Sequence, residues 1–184
     1  LAIARQRIQL FKTTAATQSL TELIDEIQED INVNHPSFYK HPKQVCNYLE
    51  LIRGSLLYNR DIRKLEPIAL DLYLNTKKQK SFTSHTLQHQ LRMLYVLSHS
   101  FYRNRKLEDS LKYIKELEDT LKQYEIVSYN FYYSKTTALK SSVYFLTGQL
   151  KEAITITEEF LKYNPSVNTE DELNLKLNLL TYYA

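Results

Sequence analysis

The chain has 184 residues, 43% of them hydrophobic, with 24 Lys plus Arg against 21 Asp plus Glu and a net charge of +3. That content can fill one ordinary core, and only 2 Gly and 4 Pro argue against folds built on many tight turns, such as sandwiches and barrels. The single cysteine, Cys46, excludes an internal disulfide or a cysteine zinc cluster, leaving the compartment open with the cytoplasm as the default expectation.

In chain order the apolar spacing is helical almost throughout. Leu1, Ile3, Ala4, Ile8 and Phe11 share a broad face, followed by Leu20, Leu23, Ile24, Ile27 and Ile31 in three- and four-residue steps. His35-Pro36 interrupts, and Pro42 opens the next helix, predicted over Pro42 to Asn59 with Val45, Leu49, Ile52, Leu56 and Leu57 on its buried side. A helix over Arg63 to Lys77 carries Leu65, Ile68, Ala69, Leu72 and Tyr73, with Pro67 expected in its first turn. Ser84 is the expected cap of a helix running to Arg103 through Leu87, Leu91, Leu94, Leu97 and Phe101. Leu107 to Gln123 is amphipathic, and Ser128 to Leu146 is aromatic and ends at Gly148. A helix over 150–163 closes at Asn164-Pro165, and Thr169 with Glu172 resembles a capping box opening the last helix. The reading is all-α, about nine helices, and the ends at Leu1 and Ala184 read as those of a segment from a longer protein.

The short inter-helix turns repeat. Arg63-Lys64-Leu65-Glu66 returns as Arg105-Lys106-Leu107-Glu108 after 42 residues, and Leu150-Lys151-Glu152 lies 43 beyond Leu107. Small Ser110 follows Leu107, and small Ala153 follows Leu150, each by three residues, which lets two antiparallel helices approach closely. A helical hairpin leaves one face unburied, so repetition at this period predicts a solenoid of stacked hairpins, with units at roughly 1–34, 42–79, 84–124 and 128–165 and a further one starting at 169–184.

The stretch Ser141 to Ala153, followed by Leu161 and Pro165, resembles the tetratricopeptide repeat. Ser141 stands at the small position, Tyr144 at the aromatic one, Gly148 in the turn, Ala153 at the small residue of the second helix and Pro165 at the closing proline. A copy around Leu94, Ser98, Phe101, Leu107, Ser110 and Ile114 has Arg105 at the turn glycine, and a third, around Ile52, Asn59 and Leu65, has Ile68 in the small slot. The family's standard period is shorter than the one seen here. The resemblance implies a TPR-like right-handed superhelix, and a protein or short peptide as partner.

Catalytic signals are weak. His85 and His89 stand four apart with no acid between them, which suits surface or partly packed polar residues better than a metal site, and Cys46 reads as a buried inert thiol. Two distant glycines cannot cradle a phosphate. Neither an enzyme, nor a cofactor, nor a metal is expected. Tyrosines at positions such as Tyr113, Tyr129 and Tyr144 read as packing between hairpins.

The resemblance implies that the first helix of each hairpin lines a concave groove. With Phe101 and Tyr144 in the aromatic slot, Arg92, Tyr95, His99 and Tyr102 face the groove in one repeat. Lys135, Ala138, Ser142 and Phe145 do so in the next, and Glu50, Arg53, Leu57 and Arg60 in an earlier one. Arg53, Arg60, Arg92 and Lys135 are then candidate contacts for ligand carboxylates, with Tyr95, Tyr102 and His99 beside them. An alternative is the peptide-sensing regulatory segment of a transcription regulator whose DNA-binding domain lies elsewhere. A nucleic-acid ligand is not expected, since Lys residues interleave with Glu instead of merging into a stripe. Neither is membrane insertion, since no run approaches the roughly 18 to 20 apolar residues needed to cross a bilayer.

Overall fold

The computed structural model describes residues 36–58, 60–124, 130–163 and 169–184. The pattern read over Leu1 to Ile31, Tyr129 and the Asn164-Pro165 closure lie outside the described residues. Seven α-helices are described: α1 (Pro42–Tyr58), α2 (Leu65–Lys78), α3 (Leu87–Arg103), α4 (Leu107–Gln123), α5 (Asn130–Leu146), α6 (Leu150–Tyr163) and α7 (Thr169–Tyr183). Contacts divide the chain into two compact units, the first ending at Met93 and the second beginning at Leu94, so the boundary falls within α3.

In the first unit α1 packs on α2, and the 3-10 turn Phe38–Lys40 packs on both. Val45, Leu49, Ile52, Leu65, Ala69, Leu72 and Tyr73 form the core, as their spacing requires, while Leu57 is 47% exposed because it lies in the last turn of α1. Pro67 is the third residue of α2, where a missing donor removes no intrahelical bond. The start of α3 differs from expectation. Thr83, in extended conformation, is the capping residue of a 3-10 turn over Ser84–Thr86, and its N–H donates to Thr86 Oγ1 at 2.8 Å before the α-helix begins at Leu87.

In the second unit α5 packs on α4, α6 and α7, and α6 packs on α7. Ser98 and Ser110 are both fully buried, and Ser110 Oγ donates to the Ser98 carbonyl at 2.9 Å. The small residue therefore closes the distance between α3 and α4 and keeps its hydroxyl satisfied. Phe101 stacks on Tyr113, with centroids 5.4 Å apart, and burial followed by Glu116 and Asp109 pushes the Tyr113 phenol above its ordinary pKa. Leu94, Leu97, Leu117, Leu121, Val143, Ala153 and Leu175 are among the other buried residues.

The three hairpin turns share one device. At each, two backbone bonds close the first helix in the Schellman pattern. Asp61 N–H donates to the Leu56 carbonyl and Arg60 N–H to Leu57, at 2.8 and 3.2 Å; Lys106 donates to Phe101 and Arg105 to Tyr102, both at 3.0 Å. Gln149 donates to Tyr144 and Gly148 to Phe145, at 2.8 and 3.1 Å. The residue at the crossing has positive φ: Arg60 at 60°, Arg105 at 62° and Gly148 at 78°. The repeated Arg-Lys-Leu-Glu tetrapeptide thus aligns the starts of second helices but not the caps. Arg105 is itself the left-handed residue, whereas Arg63 lies in an extra 3-10 turn, Ile62–Lys64, inserted between cap and helix.

Candidate functional site

Within the second unit, α3, α5 and α7 enclose a cavity of about 510 Å³. These are the first helices of successive hairpins, or in the case of α7 the helix that follows the last complete one. Tyr95, His99 and Tyr102 of α3 stand at helical steps of four and three, so they form a continuous aromatic strip on one face. His99 stacks on Tyr95 with centroids 6.1 Å apart and lies 6.2 Å from Tyr102. Arg103 closes the α3 side of the lining.

Across from this strip, α5 supplies Ser134, Lys135, Ala138, Leu139 and Ser142, and α7 supplies Asp171, Asn174 and Asn178. Asp171, 6% exposed, accepts from Ser134 Oγ at 2.8 Å and from Lys135 Nζ at 3.2 Å. A carboxylate this buried needs such partners, and the pair fixes α7 against α5. Tyr182 adds a second tie, its hydroxyl donating to Ser141 Oγ at 3.0 Å, while its ring stacks on Phe145 at 4.9 Å. Lys135, read from sequence as a contact for ligand carboxylates, is therefore already neutralised by a carboxylate of the protein.

The remaining candidates lie in the first unit. Arg53 Nη1 and Arg92 Nε both meet Glu50, at 3.2 and 2.9 Å. Arg60 is the left-handed capping residue after α1 and is exposed. Tyr95, His99, Tyr102 and Lys135 come together in one cavity, along with Ala138 and Ser142; Arg53 and Arg92 come together at Glu50.

Arg103, Ser134, Asp171, Asn174 and Asn178 escaped the sequence reading. The polar residues of α7 at 171, 174 and 178 follow helical steps and could have been found by continuing the groove register into the last helix. Among the described residues no group of three or more His, Cys, Asp and Glu side chains gathers as metal ligands would, and no helix is long and apolar enough to cross a membrane.

The chain matches no protein-family model and no curated protein. Among solved structures it is similar to a crystal structure of nearly identical TPR-like repeats, a variant of a protein from Podospora anserina described as a kinesin light chain. The match has a TM-score of 0.69 at 14% identity and covers 99% of this chain and 82% of that one. At such identity the likeness is one of fold: the chain has a TPR-like, all-α helical-repeat fold.

Proposed function

We propose that the chain is a non-catalytic interaction module that holds a short peptide or protein segment in the cleft between α3, α5 and α7. The reading rests on one observation, a cavity of about 510 Å³ that combines an aromatic strip with two carboxamides. Such a volume falls within the range of ligand clefts, roughly 300–1,000 Å³. Tyr95 and Tyr102 offer large, rigid, amphipathic area at low entropic cost, which favours them as anchors for an apolar side chain. Asn174 and Asn178 each present an acceptor and a two-proton donor, the complement of a peptide unit. The Lys135–Asp171 pair acts as a positioning element that holds α7 in place, and Arg103 adds a cation to the cleft's lining.

Selection of phage-displayed random peptides on the chain, followed by titration of the selected peptide, tests this. The Tyr95→Ala/Asn174→Ala variant is expected to lose at least about tenfold in affinity, equivalent to about 1.4 kcal/mol, with its circular dichroism unchanged. Arg92→Gln is expected to have no effect on that peptide. Affinity unchanged by the cleft substitutions would remove the cleft as the binding surface.

A further inference from the structure

The first unit carries a charged surface that the cleft reading does not use. Glu50 of α1 accepts from two guanidinium groups, Arg53 Nη1 at 3.2 Å and Arg92 Nε at 2.9 Å. The carboxylate side chain is 16% exposed, whereas Arg53 and Arg92 are 35% and 50% exposed, so the acid is largely covered and the bases reach solvent. Lys43 precedes Glu50 by seven residues, two helical turns, and therefore shares its face of α1. His89 precedes Arg92 by one turn on α3. Burial, then Lys43, then Arg92, hold the His89 imidazole below its ordinary pKa, and both charged causes are cations. Two guanidinium groups thus meet at one carboxylate, with Lys43 on the same face of α1, so cations outnumber the acid there and the surface attracts an anion from solution.

We propose that Arg53 and Arg92, which both pair with Glu50, together with Lys43 and His89 of the same two helices, form a docking site for an acidic peptide segment. Glu50 then holds the place that a ligand's own anion would take, and competes with it for the two guanidinium forks. Arginine forks pair bidentately with carboxylate or phosphate, so glutamate, aspartate or a phosphorylated side chain supplies the same chemistry. A polynucleotide is the poorer fit, because backbone binding relies on a longer basic stripe than this compact group.

Fluorescence anisotropy of a labelled dodecapeptide carrying several glutamates tests the site, with phosphoserine and glutamine counterparts and a single-stranded RNA of equal length. At about 50 mM salt the glutamate or the phosphoserine peptide is expected to bind at least about tenfold tighter than the glutamine one, weakening as salt rises; the tighter of the two identifies the anion. Lys43→Gln should weaken binding about threefold without touching the Glu50 bridge. Glu50→Gln should tighten it, a sign that loss of a merely structural contact would not produce. Tyr95→Ala should leave it unchanged, which separates this site from the cleft. Equal binding of the glutamine peptide, weaker or unaltered binding by Glu50→Gln, an unchanged affinity in Lys43→Gln, loss through Tyr95→Ala, or tighter binding of the RNA would each overturn the proposal.

Discussion

The two units present the same kind of helix face with opposite chemistry. In the first, α1 and the start of α3 carry Lys43, Arg53 and Arg92, the two arginines sharing one covered acid. In the second, the rest of α3 carries Tyr95, His99 and Tyr102, and the nearby charges Lys135 and Asp171 cancel. The contrast teaches that a shared repeat position fixes where a side chain stands and leaves its partner undetermined. Glu50 and Arg92 are 42 residues apart, one repeat, and Lys135 and Asp171 are 36 apart. Opposite charges one repeat apart bridge consecutive first helices, so a ligand's anion must compete with an acid of the protein wherever the adjoining repeat supplies one.

The comparison can be broken hardest at the core. Leu175 is fully buried in α7, and Leu175→Ala is expected to cost about 2–5 kcal/mol. Hydrogen exchange should show the loss in α5, α6 and α7, with the amides of α1 and α2 keeping their protection; equal loss in both units would dissolve the distinction between them.

A smaller effect is expected from Asp171→Ala, which removes the carboxylate to which the Lys135 ammonium and the Ser134 hydroxyl donate. The cost should be about 1.5–3 kcal/mol in urea denaturation, and Asp171→Asn, which can still accept from Ser134, should restore part of it. A neutral Asp171→Ala would show that the pair does not hold α7.

The turns should respond by about 1 kcal/mol in opposite directions. Gly148→Ala forces a Cβ into a left-handed backbone with φ 78°, although no atom beyond its chain neighbours lies within 4 Å of that Cβ, so its cost of about 1–2 kcal/mol comes from the local backbone. Arg105→Gly relieves the same restriction at φ 62° and should stabilise by up to about 1 kcal/mol.

Smallest is the pH response of the first unit. The folded-state pKa of His89 lies below its unfolded value near 6.5, so the unfolded chain takes up the proton first and stability falls as pH drops below about 6.5. The variant His89→Gln should lose less stability than the parent between pH 7 and pH 5.5. An identical urea-midpoint shift in both would exclude His89 as a source.

Much of this was legible because helical periodicity is local. Ser110 and Ala153 announced the close helix approaches by size alone, and Gly148 announced its turn by backbone freedom. Arg60 and Arg105 announced nothing, because arginine carries no local preference for a left-handed backbone and the demand comes from two carbonyls that the preceding helix leaves open. The groove register placed Glu50, Arg92 and Lys135 at one repeat position, yet it did not say that Glu50 would neutralise Arg92 or that Asp171 would neutralise Lys135. Those pairings join residues 42 and 36 apart and depend on side-chain reach between helices. Asn174 and Asn178 were missed because a solvated helix face and a ligand-facing one have the same composition until a neighbouring helix encloses one of them.

The extra turn at Ile62–Lys64 also bears on how this chain can be edited. Each Schellman closure completes its helix by bonds made wholly on the upstream side, so the downstream helix can begin at once, as at Leu107 and Leu150, or three residues later, as at Leu65. The tight joints are nevertheless poor splice points. The Lys106 and Gln149 carbonyls also accept the opening bonds of the next helices, from the Ser110 and Ala153 N–H at 3.0 and 3.1 Å, so a reporter peptide inserted just after either residue would break them. The Ile62–Lys64 turn separates its cap from the helix at Leu65 and is the better place to insert.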